Sequence, residues 1–260
     1  MSAPARLAGR AALAFGFLFL YGPILVLAAM SFNASRLVTV WGGFSTKWYF
    51  SLLENDALLD AARISLEAAA ISATLATSLG LCAAVALTRF GAFRSRSLFY
   101  GAAHAPLVLP EVVLGLAFLS AFVSFGFNRG FLTLVIAHAT FTMSFTTVAL
   151  TSALRDLDPS QEEAAMDLGA TPPRAFVLVV LPAIAPALAS AYLMAFTLSF
   201  DDLVIASFAT GPGATTLPMR IYSQVRLGVT PEVNAVSTLL LAFVFFVLAV
   251  AALLRRRRPA

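Results

Sequence analysis

Residues 158–182 read DPSQEEAAMDLGATPPRAFVLVVLP, a polar interruption between apolar runs that are each long enough to lie in a membrane. Asp158 is a favoured N-cap, Pro159 suits the first helical position and Gln161 stands at the third, so capping-box logic predicts a short helix here. Gly169 accepts the left-handed conformation that ends such a helix, and Thr171-Pro172 supplies a second cap and a second start. A helix, a sharp turn and another helix follow. Glu162, Glu163 and Asp167 keep the first helix in water and favour a basic partner surface, while Ala164 and Ala165 let that partner approach closely. This stretch is where the chain meets something soluble.

Composition sets the surroundings. Of 260 residues, 60% are hydrophobic and 12% charged, and the mean hydropathy is +0.90, values of a polytopic membrane protein rather than a soluble globule. The net charge of +4 could suggest nucleic acid. Arginine placement argues against nucleic acid, because basic residues cluster at the ends of apolar runs. Cys82 is the single cysteine, so no internal disulfide forms, and its apolar run suggests a space-filling role.

The whole chain reads as one all-α transmembrane domain with spans at about 11–30, 64–88, 101–125, 131–153, 182–208 and 235–254, and a soluble loop at 154–181. The first span is too long for a signal core of roughly 7–15 residues and is expected to be retained. Residues 46–53 are expected to form a short interfacial helix in a loop with Trp41, Trp48 and Tyr49. Asn33-Ala34-Ser35 matches a glycosylation sequon by chance. A short helix is also expected between Pro218 and Gly228.

Counting basic residues orients these spans. Arg6, Arg10, Arg89, Arg94, Arg96, Arg155, Arg174 and the four arginines at 255–258 make eleven on one side; Arg36, Lys47, Arg63, Arg129, Arg220 and Arg226 make six on the other. The positive-inside rule then puts both termini and the 158–182 stretch in the cytoplasm. The four-arginine tail abuts a span and reads as a phospholipid anchor.

No GxxxxGK[ST] phosphate loop exists, since Lys47 is the only lysine and Trp48 follows it. ATP cannot be held here by that device. No HExxH, paired-cysteine or His-rich arrangement offers a metal site, and His104 and His138 read as hydrogen-bonded packing residues. An enzyme is a poor reading.

Carboxylates inside the apolar runs are more informative. An ionised acid at mid-bilayer costs about 2.5–3.5 kcal/mol on insertion scales, so Glu111, Asp201 and Asp202 are expected to face an aqueous path, a cation or a partner. Asp201 and Asp202 cannot share one helical face, because adjacent positions differ by about 100°. On a regular helix Tyr192, Ser199 and Asp202 do line up, an aromatic and acidic wall suited to an organic ammonium. The structural alternative has these acids capping helices or pairing with Arg220 or Arg226. Pro182 and Pro186 would kink the base of this span.

Glu163-Ala164-Ala165, Gly169, Val179 and Leu181-Pro182, at their spacing, resemble the EAA loop of ATP-binding-cassette importer permeases, with Val179 in place of the usual Ile. Ser199-Phe200-Asp201-Asp202-Leu203-Val204-Ile205, residues 211–218 (GPGATTLP) and residues 228–235 (GVTPEVNA) are similar to the putrescine/spermidine permease subunits. Leu37-Val38-Thr39-Val40-Trp41 and Trp48-Tyr49 are similar to the putrescine branch. The likeness covers about residues 21–240. It implies a type I importer permease fold in a bacterial inner membrane, with the loop as the docking element for an ATPase. It further implies a second homologous permease chain, two ATPase copies that carry ATP-Mg, and a periplasmic polyamine-binding protein. Alternatives are a permease for another small cation or organic solute and an ion-coupled secondary transporter; matching broken repeats, which the latter would show, are absent.

Overall fold

A computed structural model describes residues 3–37, 40–228 and 230–256. Val38, Thr39, Val229, Arg257 and Arg258, used above, lie outside the described residues. In chain order the helices are α1 (Ala3–Met30), α2 (Lys47–Leu53), α3 (Asp56–Arg89), α4 (Arg96–Val108), α5 (Glu111–Ser124), α6 (Phe131–Asp156) and α7 (Ser160–Asp167). They continue as α8 (Pro172–Ala175), a π-helical turn (Phe176–Val180), α9 (Leu181–Ala183), α10 (Ala185–Phe200), α11 (Val204–Ala209), α12 (Leu217–Leu227) and α13 (Pro231–Arg256). Among the described residues one isolated bridge, Asn33 to Phe44, is the sole β pairing.

The chain divides into two compact units, residues 1–59 with 221–260, and residues 60–220. In the first, Asn33 is fully buried. Its Oδ1 accepts from the Gly42 and Ser35 amides at 2.8 and 3.1 Å, and its Nδ2 donates to Val40 O at 2.8 Å. The sequon is therefore spent on the fold. Trp48 is buried too, its indole N–H donating to Asn33 O at 2.6 Å.

The second unit packs around α6, 26 residues long, whose Leu134, Ala137, His138, Thr142, Thr146 and Leu150 are all fully or almost fully buried. Small and hydroxyl residues bring helices together where apolar lipid gives no hydrophobic drive. Thr146 Oγ1 donates to Ala76 O at 2.8 Å and Ser72 Oγ to Val135 O at 3.2 Å, joining α3 to α6. Gly80 makes the approach possible, since a Cβ there would collide with the Thr146 hydroxyl.

Gly9–Met30, Asp56–Arg89 and Phe131–Asp156 are each long and apolar enough to cross a membrane. Two other expected spans are not single helices. The third divides into α4 and α5, bent by 117°. Leu109 is extended, at ψ 136°, as a residue before proline tends to be, and Pro110 has no N–H to carry the ladder across. The fifth divides at Ile184, with a 70° bend, and again after Phe200. The second begins at Asp56 rather than near residue 64, because the Asn55 side chain accepts the Leu58 amide at 3.2 Å and caps an earlier turn. Helix α13 contains the expected sixth span. Cys82 is exposed on α3 and does not fill the core.

Candidate functional site

The EAA-like loop folds as a helix, a turn and a helix. Asp158 Oδ1 accepts the Ser160 amide at 3.0 Å, and that bond holds its carboxyl below the usual carboxylate range. The helix starts at Ser160, one residue later than expected, and no side chain completes a capping box at its start. Gly169 has φ +91° and closes the helix: the Ala170 amide donates to Ala165 O at 3.0 Å and the Gly169 amide to Met166 O at 2.9 Å. Those two bonds satisfy carbonyls that a helix end otherwise leaves open. Thr171 is extended and Pro172 opens α8, without a side-chain cap at Thr171.

One face of α7 is anchored and the other is bare. Glu162 meets Arg89, the last residue of α3, at 2.9 Å, with both side chains three-quarters or more buried. Ala165 is half-buried, whereas Glu163, Ala164, Met166, Asp167 and Leu168 are exposed, Leu168 by 90%. A patch of two apolar side chains, a small residue and two acids suits a partner with a basic rim around an apolar recess.

The loop connects directly to α10. After α8 the helix widens into the π turn, where the Leu181 amide reaches back five residues to Phe176 O. The wider turn relieves the clash that the Pro182 ring would make with the carbonyl four residues before it. Val180 and Ile184 pack with Ala84, Leu150, Leu154 and Ala191, so this segment is seated against α3 and α6.

The acids behave differently from one another. Helix α10 ends at Phe200, so the regular-helix alignment of Tyr192, Ser199 and Asp202 does not hold as expected: Asp202 lies beyond the last helical residue. Asp201 caps α10 and is exposed. Asp202 is buried, its Oδ1 accepting the Ala206 amide at 2.7 Å and lying 3.3 Å from His138 Nε2. His138 Nδ1 stands 2.8 Å from Ser199 Oγ, so Ser199 is held by the same imidazole. Pairing of Asp201 or Asp202 with Arg220 does not occur among the described residues. His138 is a packing residue, as expected, but one that organises two candidate site residues. A histidine seven residues into an apolar helix gave only a weak sign of this. His104 is half-buried, with Nδ1 2.8 Å from Tyr100 O.

Tyr192 belongs to a ladder of rings. Tyr192 and Phe196 stack at 6.4 Å between centroids, and Phe196 and Phe200 at 6.0 Å with planes 9° apart. Their i, i+4 spacing puts the three rings on one stripe of α10 that leads to the exposed Asp201. Glu111 is exposed at the first position of α5.

Residues 2–258 match the family described as binding-protein-dependent transport system inner membrane component. The chain is 54% identical to the putrescine transport system permease protein PotI of Escherichia coli, over 88% of this chain and 84% of that one. It is 43% identical to the spermidine/putrescine transport system permease protein PotC of Escherichia coli, over 86% and 85%. The structure resembles a chain of a bacterial ABC transporter involved in the import of the acidic polysaccharide alginate, with a TM-score of 0.73, 17% identity, and coverage of 100% and 99%.

Proposed function

The chain belongs to the binding-protein-dependent transport system inner membrane components, and from that membership we propose that it is the permease subunit of an ATP-driven polyamine importer, with putrescine its main cargo. It is a transport subunit of the bacterial inner membrane, and the hydrolysis of ATP-Mg belongs to two copies of a separate ATPase. One observation carries the substrate class: identity above one half with a putrescine permease over most of both chains. The ring ladder agrees with it. An extended 1,4-diamine separates its two ammonium groups by roughly 6 Å from ordinary bond lengths, close to the 6.4 and 6.0 Å between successive rings. Each ammonium meets an aromatic neighbour, and Asp201 receives the leading one.

Six spans with both termini in the cytoplasm complete the topology, α4 with α5 forming the third and α9 with α10 the fifth. A second permease chain forms the other half of the path, and a periplasmic polyamine-binding protein delivers the cargo. The exposed face of α7, with Glu163, Ala164, Asp167 and Gly169, seats on the ATPase. Closure of the ATPase dimer moves α7 and α8, and the π turn and the bend at Ile184, just past Pro182, pass that movement to α10, which opens the path in alternating access. Glu111 stands at the break in the third span as a second acid for the cation.

The test is uptake of labelled putrescine, with spermidine as competitor, by membrane vesicles holding the whole system. ATP-dependent, vanadate-sensitive uptake that persists after the ion gradient is collapsed supports the reading. Absence of amine uptake by the native system assigns the permease to another solute.

A further inference from the structure

Two adjacent acids near the end of a membrane helix are costly, and the structure treats them unequally. Asp201 is exposed, while Asp202 is 7% exposed and enclosed with His138 (1%) and Ser199 (3%). His138, from α6, reaches Ser199 in the last turn of α10 through Nδ1 at 2.8 Å, and Asp202 beyond the end of that helix through Nε2 at 3.3 Å. Asp202 also accepts the Ala206 amide at 2.7 Å and so fixes the start of α11. One imidazole therefore touches both sides of the break between α10 and α11.

We propose that His138 is a positioning residue that sorts the acid pair, keeping Asp202 inside the fold so that, of the two, Asp201 faces the cation path. This rests on the reading of Asp201 as a path residue. Without His138 the buried carboxyl of Asp202 loses the imidazole edge that lies 3.3 Å from it and keeps the Ala206 amide alone, and a buried polar group short of partners is unfavourable. The cheapest relief is rotation of the 201–203 segment, which turns Asp202 outward. Since the two acids are neighbours in sequence, that same rotation carries Asp201 away from the path. Ser199 keeps the imidazole from following.

The measurement is putrescine uptake by the complete importer, with KM and Vmax resolved separately at matched permease abundance. His138→Leu is expected to raise KM about tenfold with little change in Vmax, the sign of lost cargo binding. His138→Gln keeps a donor and an acceptor and is expected to recover most of that loss. Asp202→Asn, which still accepts the Ala206 amide, is expected to stay within about threefold of the native KM, whereas Asp201→Asn loses uptake. Should His138→Leu not accumulate, Ser199→Ala removes a single hydroxyl and is expected to raise KM about threefold. Native uptake by Asp201→Asn overturns the path reading itself. Loss of uptake in Asp201→Asn together with an unchanged KM in His138→Leu, His138→Gln and Ser199→Ala overturns the positioning role alone. Loss of uptake in Asp202→Asn as complete as that in Asp201→Asn does the same.

Discussion

Arg89 and Glu162 form an ion pair at 2.9 Å that ties the last residue of α3 to the first turn of α7. Both side chains are mostly shielded, 25% and 17% exposed, so the pair is less screened than a surface contact. A double-mutant cycle of Arg89→Ala and Glu162→Ala should give a coupling of about 1 kcal/mol in thermal unfolding of the purified permease. Uptake should fall in each single variant, and adding the second change should cost little more. Independent, additive losses would show that the pair does not hold the loop.

Gly169 takes φ +91°, a region that costs an L-residue with a side chain roughly 1–2 kcal/mol. Nothing lies within 4 Å of where a Cβ would stand, so the penalty at this position is one of backbone conformation alone. Gly169→Ala should leave the spans intact, weaken retention of the ATPase on the purified permease and slow uptake. Equal retention by the variant and the native chain would remove the turn from the docking surface.

Gly80 tests the helix contacts instead. A Cβ at this position collides with the Thr146 hydroxyl and presses on the α6 backbone, so Gly80→Val should destabilise the protein by about 1–3 kcal/mol, read as a lower melting temperature in detergent. Gly16→Val is the control. No atom lies within 4 Å of a Cβ at that site, and the melting temperature should hardly move.

Asp158 offers a pH test. The Ser160 amide favours its ionised form, so its folded pKa is below the unfolded one. The stability it contributes is present above the unfolded carboxylate value, about 3.9, and is lost as pH falls through the lower folded value. Asp158→Ala should therefore be less stable than the native chain at neutral pH and equal to it in strong acid, by melting at a series of pH values. A difference that persists in acid would mean that the carboxylate is not its source.

Local grammar made the 158–182 loop legible. Asp158, Gly169 and Pro172 each specify a backbone state with neighbours in sequence, and each does so in the fold. The breaks in the third and fifth spans were only half visible. Pro110 and Pro182 announce a disturbance, but whether a proline kinks a helix or divides it depends on what packs around the opened carbonyls, which sequence spacing does not contain. The Asp201-Asp202 pair was legible as two acids on different faces. Which one is enclosed depended on His138, sixty-four residues before Asp202, and no periodicity within α10 reports it. Asn55 carried a readable signal for the early start of α3, an N-cap residue followed by an acid in the first turn. The run of apolar residues from Ile64 drew the boundary elsewhere.

The π turn at Phe176–Val180 sets an angular phase. It takes up one residue more than an α turn would over the same rise, and one residue of α-helix corresponds to about 100° of rotation. The ring ladder of α10 is aimed by that extra residue. Deleting one of residues 176–180 should return the segment to an α-helix and swing Tyr192, Phe196 and Phe200 by roughly a quarter turn relative to α7, with the docking surface unchanged. Such a variant would still retain its ATPase and would move no cargo, a machine whose motor runs while its track points the wrong way.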